Sequence, residues 1–122
     1  MPDPIVSRPG EGELHERDDG YRLIRVDTKQ VAVIEIAFDE SLVVEPHTHP
    51  DHADSFLVLD GEVEFTAGDD TVVLGPGSFI TAPPGARHGF RSARGSARVL
   101  NFHTPDGGFL ESIRRTSAES AS

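Results

Sequence analysis

Between Tyr21 and Thr104 apolar and polar residues alternate in short bursts: YRLIRVDT, QVAVIEIAF, SLVVEPHTH, DSFLVLD, EVEFTA, TVVLG, SFITA, RHGFRS and ARVLNFH. A period of two, or a compact β-branched run, is the pattern of a strand that buries at least one face. Turn formers separate the bursts. Asp60-Gly61 predicts a type I′ hairpin, because the turn needs positive φ and glycine adopts it without a Cβ clash. Gly68-Asp69-Asp70 and Gly75-Pro76-Gly77 predict further reversals. Many short strands without a long helical pattern specify an all-β protein, a closed barrel or jelly roll. The tail breaks the rhythm: Phe109, Leu110 and Ile113 fall at helical spacing and predict one short C-terminal helix that caps the barrel or meets a partner subunit. Residues 1–20, rich in Pro, Gly and charge, read as a flexible arm, 21–115 as the barrel domain, and 116–122 as a frayed tail.

Composition narrows the chemistry. A chain of 122 residues suits one domain with one site. It has no cysteine, so a metal must be held by nitrogen and oxygen. The formal net charge of -10 repels phosphate backbones and anionic lipid, so neither nucleic acid nor a membrane is an expected partner. No apolar run is long enough for a membrane span and no basic leader precedes one, so the expected location is cytoplasmic.

Histidines supply the candidate chemistry. The stretch EPHTHPDHADSF holds three of the six, with Asp51 and Asp54 among them. His47 and His49 stand two apart, which on a strand projects both imidazoles from one face and lets them chelate one ion. Asp54 follows, and His88 stands after the loop PPGAR, from which a barrel can bring it opposite the first pair. Three nitrogens and one oxygen leave coordination positions open for a substrate.

At these residues the sequence resembles the cupins. HTHPDHADSFLVLDG is similar to the first cupin motif, with His47, His49, Asp54 and Gly61 on the motif positions, and GSFITAPPGARH to the second, with Gly77, Pro83, Gly85 and His88. The resemblance covers roughly residues 21–104, and FHTPDGGFLESIRR is similar to the tail of small quercetin dioxygenase-like cupins. It implies a cupin-type double-stranded β-helix that dimerises and holds one divalent ion through His47, His49, Asp54 and His88. Asp54 stands where the family usually has Glu, so either its strand sits closer to the ion or the carboxylate acts through water. Ser41 and Ser92 replace the Gly and Asn that often bound the two motifs.

Other residues carry weaker signals. His52, in the bend between ligand segments, is expected to face solvent. His103 alternates with Asn101 and Val99 and reaches the site as an acid, base or substrate contact only if that face turns inward. Phe56, Phe79, Phe90 and Phe102 read as core aromatics, and Arg87 and Arg91 as surface partners for the many acids, with a clamp on a substrate carboxylate as the alternative. No GxSxG, P-loop or HExxH motif is present. The expected function is that of a metal-dependent oxygenase acting on a small organic molecule. A non-catalytic binding module and a metal-dependent isomerase or lyase are the alternatives, and iron, manganese, nickel, copper and zinc all suit the ligand set. A homodimer is expected from the resemblance and from sheet edges left open at YRLIRVDT or QVAVIEIAF.

Overall fold

The computed structural model describes residues 2–121, with side chains as far as Thr116. In chain order the elements are β1 (Glu13–Arg17), β2 (Gly20–Asp27), β3 (Ala32–Phe38), β4 (Val43–His47), β5 (Ala53–Asp60), β6 (Val63–Ala67), β7 (Asp70–Leu74), β8 (Phe79–Ala82), β9 (His88–Ser92), β10 (Ala97–Thr104) and α1 (Phe109–Ala121). The strands form two antiparallel sheets, β1-β2-β3-β10-β5-β8 and β4-β9-β6-β7, so the jelly-roll expectation holds.

The alternation seen in the sequence decides what lies between the sheets. On β10, Ala97, Val99, Asn101 and His103 are buried while Arg98, Leu100 and Phe102 face outward. Ile34, Ile36 and Phe38 of β3, Phe56 and Val58 of β5, Val63 and Phe65 of β6 and Phe90 of β9 complete the inner layer. Phe38, Phe56 and Phe65 each pack a ring against Phe90, with centroids 5.3, 5.1 and 6.0 Å away. Each such buried side chain contributes roughly 1.5–3 kcal/mol through area removed from water. Phe79 and Phe102 depart from the core reading: they meet on the outer face with centroids 6.4 Å apart, and Phe79 is 58% exposed.

Two expectations about connections change. Asp60-Gly61 is a corner rather than a hairpin, because β5 and β6 belong to different sheets. Gly61 has φ 78°, and a Cβ there would fall 2.5 Å from the Ser96 carbonyl oxygen, so glycine is required by close approach as well as by conformation. The hairpin lies at Gly68-Asp69, where the Ala67↔Asp70 register leaves a two-residue turn.

Order also reaches into the segment read as an arm, since Glu13–Arg17 is the strand β1. It was hidden because it has no apolar face, Leu14 being 55% exposed; its pairing with β2 is a backbone ladder. Further out, Arg25 donates to the carbonyls of Ser7 (3.0 Å) and Arg8 (2.9 Å). With β1 in place, YRLIRVDT and QVAVIEIAF are interior strands rather than open edges. The edges are β1 and β8 in one sheet and β4 and β7 in the other.

The helix buries Leu110 and Ile113 against the open end of the sandwich, and Arg114 ties it to Glu13 (3.0 Å) and Asp27 (2.9 Å). The fraying expected from Thr116 onward falls, beyond that residue, on side chains outside those described. No helix among the described residues is long and apolar enough to cross a membrane.

Candidate metal centre

Each sheet delivers a pair of side chains to the same end of the sandwich. In the smaller sheet His47, the last residue of β4, is register partner to His88, the first of β9. In the larger sheet Asp54 of β5 is partner to His103 of β10. His49 lies just beyond the end of β4 rather than on it, and its carbonyl accepts a hydrogen bond from Gly85 N–H (2.8 Å) in the loop before β9.

These elements bring together the four residues expected to bind a metal. The Nε2 atoms of His47 and His49 are 3.1 Å apart, His49 Nε2 is 3.3 Å from Asp54 Oδ2, and that oxygen is 2.9 Å from His88 Nε2. Donors on neighbouring positions of one ion, with bonds of about 2.0–2.2 Å, stand about 3 Å apart, so the donor set fits a single cation. The Asp54 carboxylate, despite its short side chain, stands within the cluster. His47 Nδ1–H donates to the Glu45 carbonyl (2.8 Å) and His88 Nδ1–H to that of Ala86 (2.9 Å). Those bonds fix the tautomer that turns an Nε2 lone pair inward, the usual support for a metal-binding histidine.

Behind the donors lies a polar layer that the sequence only partly announced. Asn101 donates through Nδ2 to Asp54 Oδ1 (2.6 Å) and to the Ser55 carbonyl (3.0 Å), which turns its Oδ1 toward His103 Nε2 (3.0 Å). His103 therefore carries its proton on Nε2 and keeps a lone pair on Nδ1. The sequence marks Asn101 only by its place two residues before His103, on the same inward face. His103 does turn inward and is 1% exposed.

The expectation for His52 is overturned. It is 5% exposed, with Nδ1 on the Asp51 carboxylate (2.8 Å) and its ring stacked on His49 at 4.3 Å and 26°. The bend folds it inward because Gly107, distant in sequence, offers a bare backbone against which the ring lies; a Cβ there would fall 2.4 Å from His52 Nδ1. Among the described residues, His52 Nε2 and His103 Nδ1 are the buried side-chain nitrogens without a hydrogen-bond partner.

Electrostatics follow from this packing. Burial raises the Asp54 carboxyl, but the hydrogen bond from His88, when that ring carries its second proton, and the hydrogen bond from the Asn101 amide outweigh it and hold Asp54 below the usual range. Burial lowers His88, and the Asp54 carboxylate and Ala86 carbonyl reverse this, so its net shift is upward. Burial lowers His49 and, more strongly, His103, to about 4, with Asp54 opposing in both.

A cavity of about 270 Å³ opens above the cluster. His47, His49, Asp54, Asn101 and His103 line its polar end; Ile36, Leu42, Val44, Phe56 and Phe90 form an apolar wall, and Phe109, Ser112 and Ile113 of α1 lie across it. Arg17 and Arg22, rather than Arg87 or Arg91, are the basic residues of the lining. Arg22 is held by Asp19 (2.7 Å) and Arg17 donates to the Ile113 carbonyl (3.0 Å). Arg87 donates to the Gly68 carbonyl (2.9 Å) and Arg91 pairs with Glu64 (3.3 Å).

Comparison with known proteins agrees with this picture. The family model described as a cupin domain matches residues 35–103. Among solved structures, KdgF from Halomonas sp. superposes with a TM-score of 0.73 at 23% identity, covering 81% of this chain and 93% of that one. An RmlC-like cupin from Shewanella frigidimarina NCIMB 400 gives 0.72 at 21% identity, over 84% and 92%. The DMSP lyase DddQ from Ruegeria pomeroyi DSS-3 gives 0.57 at 26% identity, over 65% of this chain and 40% of that one. No curated protein matches the chain.

Proposed function

The chain belongs to the cupin domain family, and from that premise we propose that it is a metal-dependent oxygenase acting on a small organic molecule. The observation that carries this reading is the convergence of His47, His49, Asp54 and His88, the first three of which line one end of a largely apolar cavity. When bound, a redox-active divalent ion supplies Lewis acidity and one-electron chemistry at that point. The protein's own residues do the rest. His47, His49, Asp54 and His88 would hold the ion. The wall of Ile36, Leu42, Val44, Phe56 and Phe90 excludes water, which strengthens every polar contact inside. Asn101, which also accepts from His103, keeps Asp54 turned toward the other donors.

The test is oxygen consumption by protein loaded with iron, manganese, nickel, copper or zinc, offered flavonols, enediols, diketones and thiol acids. Turnover is expected with a redox-active ion and not with zinc. Likeness to a lyase supports a second reading, in which turnover proceeds without oxygen uptake. Ligand stabilisation with no turnover for any metal would leave the binding module. A cytoplasmic homodimer completes the proposal. The dimer is supported by an outer sheet face where Leu57, Leu59, Leu100 and Phe102 are only half-buried beside exposed Phe79. Light scattering that shows only monomer at micromolar concentration would refute the dimer.

A further inference from the structure

His47 and His88 are each locked by a hydrogen bond from Nδ1–H to a backbone carbonyl. His49 is different: among the described residues its Nδ1 has no such partner, and it follows rather than belongs to β4. What bounds its ring is other rings. His47 lies edge-on at 4.7 Å, His88 is tilted at 5.0 Å, and His52 is stacked at 4.3 Å. His52 is itself clamped, by the Asp51 carboxylate at Nδ1, by the Gly107 backbone and by His103, whose ring lies 5.0 Å away.

We propose that His52 is the positioning residue for His49, replacing with a stacked ring the backbone hydrogen bond that the other two histidines have. The inference rests on the metal-site reading above. Stacking suits the task for two reasons. A ring held on several sides loses the χ freedom that would otherwise have to be given up when the ion binds. An imidazole that donates to a carboxylate is also electron-rich, and its face is a favourable neighbour for a ring that carries part of a bound cation's charge. Gly107 is the permissive element, since any side chain there would enter the space of the His52 ring.

The experiment compares the full chain with His52→Ala and His52→Phe by calorimetric titration with cobalt(II), reading the visible absorption of the bound ion in parallel. His52→Ala is expected to weaken binding by roughly ten- to a hundredfold, the scale for lost outer support of a metal ligand, and to shift the cobalt spectrum. His52→Phe, which keeps a flat ring and loses the bond to Asp51, should recover most of the affinity and the parental spectrum. Equal affinity and spectrum in His52→Ala and the parent would overturn the inference alone, as would a His52→Phe protein no better than His52→Ala. A parent chain that takes up no cobalt would overturn the metal-site reading and this inference with it.

Discussion

Two carboxylates are buried to nearly the same degree in this protein, Glu35 at 6% exposure and Asp54 at 4%, and they keep opposite company. Glu35, on the outer face of the larger sheet, accepts hydrogen bonds from Arg25 (3.1 Å), Arg98 (3.4 Å) and the Tyr21 hydroxyl. Burial raises its carboxyl, and Tyr21 and Arg98 more than reverse this. Asp54, on the inner face, meets the Asn101 amide and the imidazoles of His49, His88 and His103. Arginine is a permanent cation; imidazole is one only while it holds a proton. The Glu35 cluster is thus complete as folded, whereas the positive charge facing Asp54 must be brought in, as a proton on His88 or as a metal ion. Equal burial with unequal compensation separates a structural ion cluster from a binding one.

The strongest test of that contrast removes the donors themselves. His47→Ala and His88→Ala should each lose the one divalent ion expected per chain, as read by elemental analysis after reconstitution; full occupancy in both would erase the distinction. Next come the carboxylates. Asp54→Asn should weaken metal binding by roughly a hundredfold and cost the metal-free fold little, because it deletes a charge that lacks a permanent partner. Glu35→Gln should do the reverse, leaving metal affinity unchanged and destabilising the fold by roughly 2–4 kcal/mol in denaturant titration, since it leaves Arg25 without its carboxylate and Arg98 with Asp60 alone. Similar behaviour of the two variants would refute the contrast.

Acidity sharpens it further. With a folded value of about 4 against an ordinary 6.5, His103 is neutral when folded while the unfolded chain takes up a proton. Its stabilising contribution is present above about pH 6.5 and lost as the pH falls toward 4, to the extent of about 3 kcal/mol. His49, also lowered, acts in the same sense. His88 is raised and opposes them, adding stability below about pH 6.5 that disappears as the pH climbs through its folded value. The melting temperature of metal-free protein should therefore fall between pH 6.5 and 4.5, and His103→Gln should flatten the decline. Metal affinity should fall over the same acid range as protons compete for His88. The smallest effect is expected on the surface: Arg91→Ala removes a largely exposed pair with Glu64 and should change stability by no more than about 0.5 kcal/mol.

Local patterns carried the strands and most of the site. Period-two burial on β10 turned Asn101 and His103 inward as alternation requires, and the spacing of His47, His49, Asp54 and His88 placed four donors that the fold then gathered. What stayed illegible depended on partners distant in sequence. Nothing near His52 reveals that Gly107 will make room for its ring. Asp60-Gly61 has hairpin chemistry and turns a corner instead, because β5 pairs with β10 and β8 while β6 pairs with β9 and β7. β1 is joined by backbone hydrogen bonds with almost no apolar signature, and without it two interior strands read as edges. Arg17 and Arg22 line the cavity from β1 and β2, where local sequence gives no hint of a site.

The place of β10 in the larger sheet has a further consequence, for the order of events during synthesis. β10 follows the other nine strands in the chain and is still an interior one, paired with β3 on one side and β5 on the other. Until Ala97–Thr104 has emerged, β3 and β5 have no common neighbour, and the inner layer lacks Val99, Asn101 and His103. Such sequence-distant pairing makes for slow, late closure. A nascent chain stalled before β10 would hold all four metal donors and still lack the residue that orients Asp54, so premature uptake of an ion by an unfinished barrel is disfavoured by the connectivity itself.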